Sequence, residues 1–332
     1  MKQGSGARIF RSTPRNLAML ARKLQNGALV GVPTETVYGL AANALDSVAC
    51  RRIFRVKGRP STDPLIVHIH NHDQLTSIAT TNPVAELLAN QYWPGPLTLI
   101  LPKKPCIPDI VTADLDSVAV RMPSHPIMRR LLRECGLPLA APSANIFGYV
   151  SPTTADHVKT GLGRKIGYIL DGGPAQIGLE STIVDARNPS KIRVLRPGAV
   201  TPEQLSRTIG ALVIEYRPKR AQVSDNQVSP GLLKQHYSPK AQVLLHKDLN
   251  RGHVGKLSPK EACLYFSKPK FIRNKQSYWL CQNNNQAEAA RNLFGQLRSL
   301  DKQGFKVIHA ELAPAGPMAA AINDRLRRAA AH

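Results

Sequence analysis

Two short stretches of this chain carry side chains whose types and spacing suit anion chemistry. Gly31-Val32-Pro33-Thr34-Glu35-Thr36-Val37-Tyr38-Gly39-Leu40 places two hydroxyls and a carboxylate directly after an apolar run that stops at a proline. Lys57-Gly58-Arg59-Pro60 sets an ammonium and a guanidinium on either side of a glycine. Arginine offers a planar fork and lysine a point charge, so the pair is a candidate phosphate clamp. Each stretch also has a plainer reading. Thr34 or Thr36 could be the N-cap of a helix following the strand, and Lys57 and Arg59 could be solvated charges at a helix C-terminus.

The elements that must position these residues alternate along residues 1–216. The run Ala28–Val32 reads as a buried strand, and Pro33, which cannot donate to a ladder, ends it. Thr13-Pro14 starts a helix whose stripe is Leu17, Leu20, Ala21 and Leu24, with Gly27 closing it. Helices are expected over 47–56, 83–92, 126–135 and 202–209. Strands are expected over 65–69, 97–101, 117–122, 137–141, 166–170, 181–185, 192–195 and 211–216. The fold class is therefore α/β, a mixed twisted sheet with flanking helices, because strands outnumber helices and several are close enough for hairpins. Ligands of open α/β sheets sit outside the carboxyl ends of strands, which is where Thr34–Thr36 fall.

Residues 217–240 lose periodicity; three prolines, and five Lys or Arg against one acid, mark a surface linker. Residues 241–332 alternate again, with strands over 243–246, 262–266, 278–281 and 306–311. Helices near 286–300 and 318–330 complete a smaller parallel α/β domain.

The sequence carries 45 Lys and Arg against 22 Asp and Glu, a formal charge of +23 that draws polyanions, nucleotides and RNA alike. Hydrophobic residues make up 42%, enough for ordinary cores, which excludes wholesale disorder. No apolar run is long enough to span a bilayer and the first ten residues lack a signal-peptide core, so a cytoplasmic location is expected. The cysteines Cys50, Cys106, Cys135, Cys263 and Cys281 are scattered without a C-x-x-C pair, so neither a disulfide framework nor a zinc knuckle is indicated.

Further stretches lie in order along the chain: Tyr92-Trp93-Pro94-Gly95-Pro96-Leu97-Thr98, Ser117-Val118-Ala119-Val120-Arg121-Met122-Pro123 and Ala141-Pro142-Ser143-Ala144-Asn145. Gly178-Leu179-Glu180-Ser181-Thr182-Ile183-Val184-Asp185, Leu195-Arg196-Pro197-Gly198 and the block from Ser229 to Lys240 follow. Together with the first two, they resemble the L-threonylcarbamoyladenylate synthase family, in its long two-domain form. The resemblance implies a YrdC-like catalytic fold, a Rossmann-like second domain, and condensation of L-threonine, bicarbonate and ATP into threonylcarbamoyl-AMP with release of pyrophosphate. It also implies magnesium carried on ATP with no dedicated protein metal site, and a downstream tRNA-modifying threonylcarbamoyl transferase machinery. Contact with tRNA or double-stranded RNA fits the same picture, and no membrane partner is implied.

Carried over position by position, the resemblance assigns Thr36, His68, Arg121, Ser181 and the backbone at Ala141 to threonine. Lys57 and Arg59 become the catalytic cations. Arg59, Asp63, Ser117, Ser143, Asn145, Ser151 and Arg196 face the nucleotide, joined from the linker by His236 and Tyr237 acting as a lid. Plainer readings stay open: Ser143 and Asn145 as turn residues, Arg121 in an ion pair, Arg196 as a solvated strand end. Asp63 departs from the family's usual Asn or His, and an acid beside phosphate is unfavourable unless magnesium or Arg59 compensates. The middle of the linker motif, Leu233-Lys234-Gln235, departs as well.

Two other functions compete. An RNA-binding or RNA-maturation module could use the same basic concave sheet. A metal-dependent hydrolase could centre on His68 and His70, which alternation puts on one strand face, but no downstream His-Asp set accompanies them. Gly161-Leu-Gly163-Arg-Lys-Ile-Gly167 is one residue too long for a dinucleotide fingerprint and follows a helix where a strand should precede.

Overall fold

The structure is a computed structural model, and it describes residues 6–215, 229, 237–249, 257–270 and 275–331. In chain order the first strands are β1 (Arg8–Phe10), β2 (Val30–Val32), β3 (Gly39–Asn43), β4 (Ile66–His68), β5 (Leu97–Pro102) and β6 (Ser117–Arg121). There follow β7 (Leu139–Ala140), β8 (Tyr168–Leu170), β9 (Thr182–Asp185), β10 (Arg193–Arg196) and β11 (Ile214–Glu215). These form one mixed sheet in the order β1-β8-β2-β3-β7-β4-β6-β5-β9-β10-β11.

Alternation along β3 shows how the sheet is covered. Leu40 and Ala42 face the core made with Ala49, Cys50, Ile53 and Phe54 of helix Ser47–Lys57. Ala41 faces the opposite core, with Leu17, Leu20 and Leu24 of helix Pro14–Gln25 and Leu131 and Leu132 of helix Pro126–Cys135. A strand's period of two thus loads both faces.

Helices Pro83–Tyr92, Pro126–Cys135 and Pro202–Ile209 begin and end where the sequence places them, each with proline in the first turn. The largest difference lies after Pro33. No helix follows; the chain turns back as β3, antiparallel to β2, with Gly31 opposite Leu40. The Thr34 hydroxyl makes this turn by accepting from the Thr36 and Val37 amides, both at 3.2 Å, and donating to the Val37 carbonyl at 2.6 Å. A side chain doing the work of a turn carbonyl is the local alternative to helix capping. The alternating pattern also did not single out β1 or helices His72–Ile78 and Asp109–Thr112, while the helix expected before Gly161 is Ala155–Leu162.

The second sheet is parallel, β12 (Gln242–His246), β13 (Glu261–Ser267), β14 (Ser277–Cys281) and β15 (Val307–Glu311), in the order β12-β15-β13-β14. Helices Gln286–Lys302 and Ala319–Ala329 pack on it through Leu293, Phe294, Leu297, Ile322 and Leu326. That same core takes in Val37, Val150 and Leu179 from the first sheet's loops, so the two halves share apolar packing. The halves also meet at Gly178, whose φ is +80°. A Cβ there would sit 2.5 Å from the Arg291 Cα and 2.7 Å from the Ala290 carbonyl, so only glycine lets the helix backbone rest on this loop.

Cys50, Cys135, Cys263 and Cys281 are buried and Cys106 is exposed, all as free thiols. No helix among the described residues is long and apolar enough to cross a membrane.

Candidate active site

The sheet delivers chemistry to one place because β4 and β6 run parallel with His68 beside Arg121, and β7 runs antiparallel to β4 and leads into Ala141. Over them closes the Thr34–Gly39 turn on one side, and Ser181 and Arg196, from the starts and ends of β9 and β10, on the other. The result is a cavity of about 50 Å³ lined by Thr36, His68, Arg121 and Ser181, with Arg59, Ser143 and Arg196. Tyr237 forms another part of its wall.

Every arginine here is buried. Arg121 donates through Nε to the Gly95 carbonyl at 3.1 Å and through Nη1 to Thr36 Oγ1 at 2.8 Å, while Nη2 lies 2.6 Å from Glu35 Oε1. Burial pushes the Glu35 carboxyl up, but Arg121 and the Ser124 amide outweigh it and the pKa is lowered. Arg59 is held by the Asp63 and Pro64 carbonyls at 2.9 and 2.7 Å and pairs with the Asp63 carboxylate at 2.9 Å. The compensation that an acid at position 63 requires is thus supplied by Arg59. Arg196 is the exception: Nε and Nη2 donate to the Ser181 carbonyl and hydroxyl at 3.1 Å each, and among the described residues no carboxylate lies within ion-pair distance. Its charge is the least compensated at the wall, and a solvated strand end is excluded by its burial.

His68 stays neutral, its pKa pushed down to about 3 by burial and then by Arg121. The Ser181 hydroxyl exchanges a 2.7 Å hydrogen bond with Thr98 Oγ1, which fixes it from below. His70 lies apart, half-buried near Arg129 and Arg133, and among the described residues no group of three His, Cys, Asp or Glu is arranged to hold a metal.

Several expected residues do not line the cavity. The Lys57 ammonium is buried under the Ala141–Asn145 loop and donates to the Ser143 and Asn145 carbonyls at 2.6 Å each. Burial and neighbouring Arg59 push its pKa well below the usual lysine value, against the pull of Asp63. Lys57 props the wall and is not part of it; nor does it cap its helix in water. Asn145 likewise faces inward, donating to the Ile146 and Tyr149 carbonyls. Ser151 donates to Glu180 Oε1 at 2.5 Å. Ser117 opens β6, four residues and so roughly 13 Å of strand from Arg121. His236 lies outside the described residues.

Tyr237 is fully buried, at φ +65°, a region that L-residues enter only when their surroundings hold them there. Its ring stacks on Phe294 at 5.4 Å, and burial pushes its pKa up to about 12. The sequence placed Thr34 at a ligand-binding strand end without giving it a role, and did not point to Val37, Ile66 or Glu180 as wall residues, although Glu180 sits beside an assigned neighbour. It gave no signal for Arg298 or Arg325, which reach the loops under the cavity from the second domain.

The chain matches the family model described as "Telomere recombination", that of Sua5, YciO and YrdC, over residues 22–198. It matches "Threonylcarbamoyl-AMP synthase, C-terminal domain" over residues 200–331. A threonylcarbamoyl-AMP synthase from Pyrococcus abyssi is 41% identical over 93% of this chain and 92% of its own length. One from Bacillus subtilis is 39% identical over 95% and 92%. The crystal structure of P. abyssi Sua5 complexed with L-threonine superposes with a TM-score of 0.89 and 37% identity, covering 98% of both chains. Two family models in tandem, relatives matched nearly end to end and a shared two-domain fold lead to one assignment: this chain belongs to the threonylcarbamoyl-AMP synthase family.

Proposed function

We propose that this chain condenses L-threonine, bicarbonate and ATP into threonylcarbamoyl-AMP, releasing pyrophosphate and water. The observation that carries the reading is the convergence of Arg59, Arg121 and Arg196, from three distant parts of the chain, on one buried cavity that also presents Thr36, His68 and Ser181.

The chemistry brings two anions together: a carbamate oxygen attacks the α-phosphorus while pyrophosphate leaves. In water their repulsion opposes the approach, so catalysis is positioning plus fixed positive charge, without a covalent protein nucleophile. Arg121 and Thr36 receive the threonine carboxylate, with neutral His68, Ser181 and the Ala141 backbone about the rest of that substrate. Arg196 and Arg59 take the nucleotide and its phosphates, beside the Ser143 backbone. Lys57 and Asn145 act through the loop they hold, Ser151 through Glu180, and Asp63 through Arg59. Magnesium arrives with ATP as part of the substrate. Tyr237, part of the cavity wall, moves aside for ATP and then closes over the adenylate to exclude water. The product passes to the transferase machinery that modifies adenosine in tRNA.

The test is incubation of the chain with ATP, threonine and bicarbonate, following pyrophosphate and a new adenylate. All three substrates are required. Full pyrophosphate release with threonine in rigorously bicarbonate-free buffer would mean that threonine's own carboxylate is activated and that the reading is wrong.

A further inference from the structure

The final helix, Ala319–Ala329, sends one arginine into the first domain. Arg325 has no exposed surface. Its Nε donates to Glu180 Oε2 at 3.1 Å and its Nη2 to the Glu180 carbonyl at 3.4 Å. Its Nη1 donates to the Pro197 carbonyl at 2.6 Å and meets Asp324 Oδ2 at 3.1 Å. The guanidinium also lies 5.7 Å from the centre of the Tyr237 ring. One side chain therefore ties together Glu180, Tyr237 and the residue after Arg196, and these three segments all contribute to the cavity wall.

We propose that Arg325 is a positioning residue for adenylate formation: by clamping Tyr237 and Glu180 from the second domain, it sets how long the cavity stays shut. The proposal rests on the function given above and adds what the second domain does for it. Two observations carry it. Tyr237 sits at positive φ, which persists only where neighbours fix it, and two of the groups on its ring, the stacked Phe294 and the guanidinium of Arg325, come from the second domain. The donors of Arg325 are committed to Glu180, Pro197 and Asp324, so it acts through these groups and not on substrate. Burial alone would lower the Arg325 pKa, but Tyr237, Glu180 and Asp324 outweigh it and keep the guanidinium charged.

The experiment compares the full-length chain with Arg325→Lys, Arg325→Met and the charge-neutral double variant Arg325→Met/Glu180→Gln. The double variant avoids leaving a lone buried carboxylate, so its behaviour reports the clamp and not a charge defect. Three quantities are read: amide exchange at Tyr237 and Ser238, the association rate of ATP, and the ratio of intact adenylate to free AMP. The Ser238 amide is bonded to the Gly148 carbonyl at 2.8 Å and reports opening directly. In both Met variants, exchange should be about tenfold faster or more, ATP should bind faster, and more of the product should appear as AMP. Arg325→Lys, which keeps charge but not the fork, should fall between. Unchanged exchange and an unchanged product ratio in folded variants would overturn the proposal, as would a loss of turnover with the ratio intact. If the unmodified chain made no adenylate, the proposed function would fall, while exchange and ATP association would still decide the clamp.

Discussion

Glu35 and Arg121 form a buried ion pair, 2.6 Å between Oε1 and Nη2, directly behind the hydroxyl of Thr36. The arginine expected to receive a carboxylate substrate is already neutralised by one from its own chain. Glu35→Gln removes that counter-charge and leaves a buried guanidinium alone, which costs about 3 kcal/mol or more of stability. Threonine brings a carboxylate of its own, so saturating threonine should restore more stability to Glu35→Gln than it adds to the parent chain. Urea melts with and without threonine measure this, and an equal gain in both would count against Arg121 as the carboxylate anchor.

Arg59 and Lys57 should separate on mutation, although they are two residues apart. Arg59→Ala removes fixed charge at the wall and should lower turnover about a hundredfold or more. It also strands Asp63, so Arg59→Ala/Asp63→Asn should regain stability without regaining turnover. Lys57→Ala frees the Ser143 and Asn145 carbonyls. It should lower stability along with turnover, and crystal or exchange data should show the Ala141–Asn145 loop loosened. A stable Lys57→Ala chain with full nucleotide affinity would contradict this.

Acid should weaken the fold through histidines kept neutral inside it. The pKa of His68 is held near 3 and that of His157 near 4, in both cases by burial first, against 6.5 for the free ring. Below pH 6.5 the unfolded chain binds protons that the native chain refuses. Stability is therefore complete above about 6.5 and falls as pH drops toward 4, by at most about 1.4 kcal/mol per pH unit for each ring. His157→Gln, away from the cavity, should flatten the slope by one group in urea melts between pH 4.5 and 7.5.

Tyr237→Ala should weaken nucleotide binding and raise the proportion of AMP among products, because the ring is the part of the wall that opens. Tyr237→Phe keeps the stack on Phe294 and should change neither by more than about twofold. The ratio of adenylate to AMP after a single turnover distinguishes the two.

How much of this was legible in the sequence depended on the kind of signal. Helices announced by an N-terminal proline were placed to the residue, as at Pro83, Pro126 and Pro202, because one backbone constraint marks the start. Strand centres were found and their ends were less exact: several in the first sheet were overextended, since apolar runs continue into buried loops such as Ala141, whereas β12, β13 and β14 each begin a residue earlier than expected. Gly39–Asn43 was missed because Leu-Ala-Ala has no strand preference; pairing with β2 and β7 decides its form. At the site, residue type and spacing pointed to Arg59 and the family resemblance added Arg121 and Arg196, but neither said what each touches. Glu35 was within the opening motif and still had no assigned partner, and Arg325 lies in an ordinary-looking helix whose total burial no local pattern reveals.

The contact at Gly178 reaches further than its size suggests. A hydrogen atom in place of a side chain in the first half lets the spine of a helix in the second half settle on the same loop that leads into Glu180 and Ser181. The halves are therefore not modules that can be exchanged freely. A transplanted second half would dock only on a loop with a glycine at this point, and a first half living without one would lose the steric reason for it, keeping only the backbone angle. Position 178 thus records, in a single residue of the catalytic half, the presence of its companion.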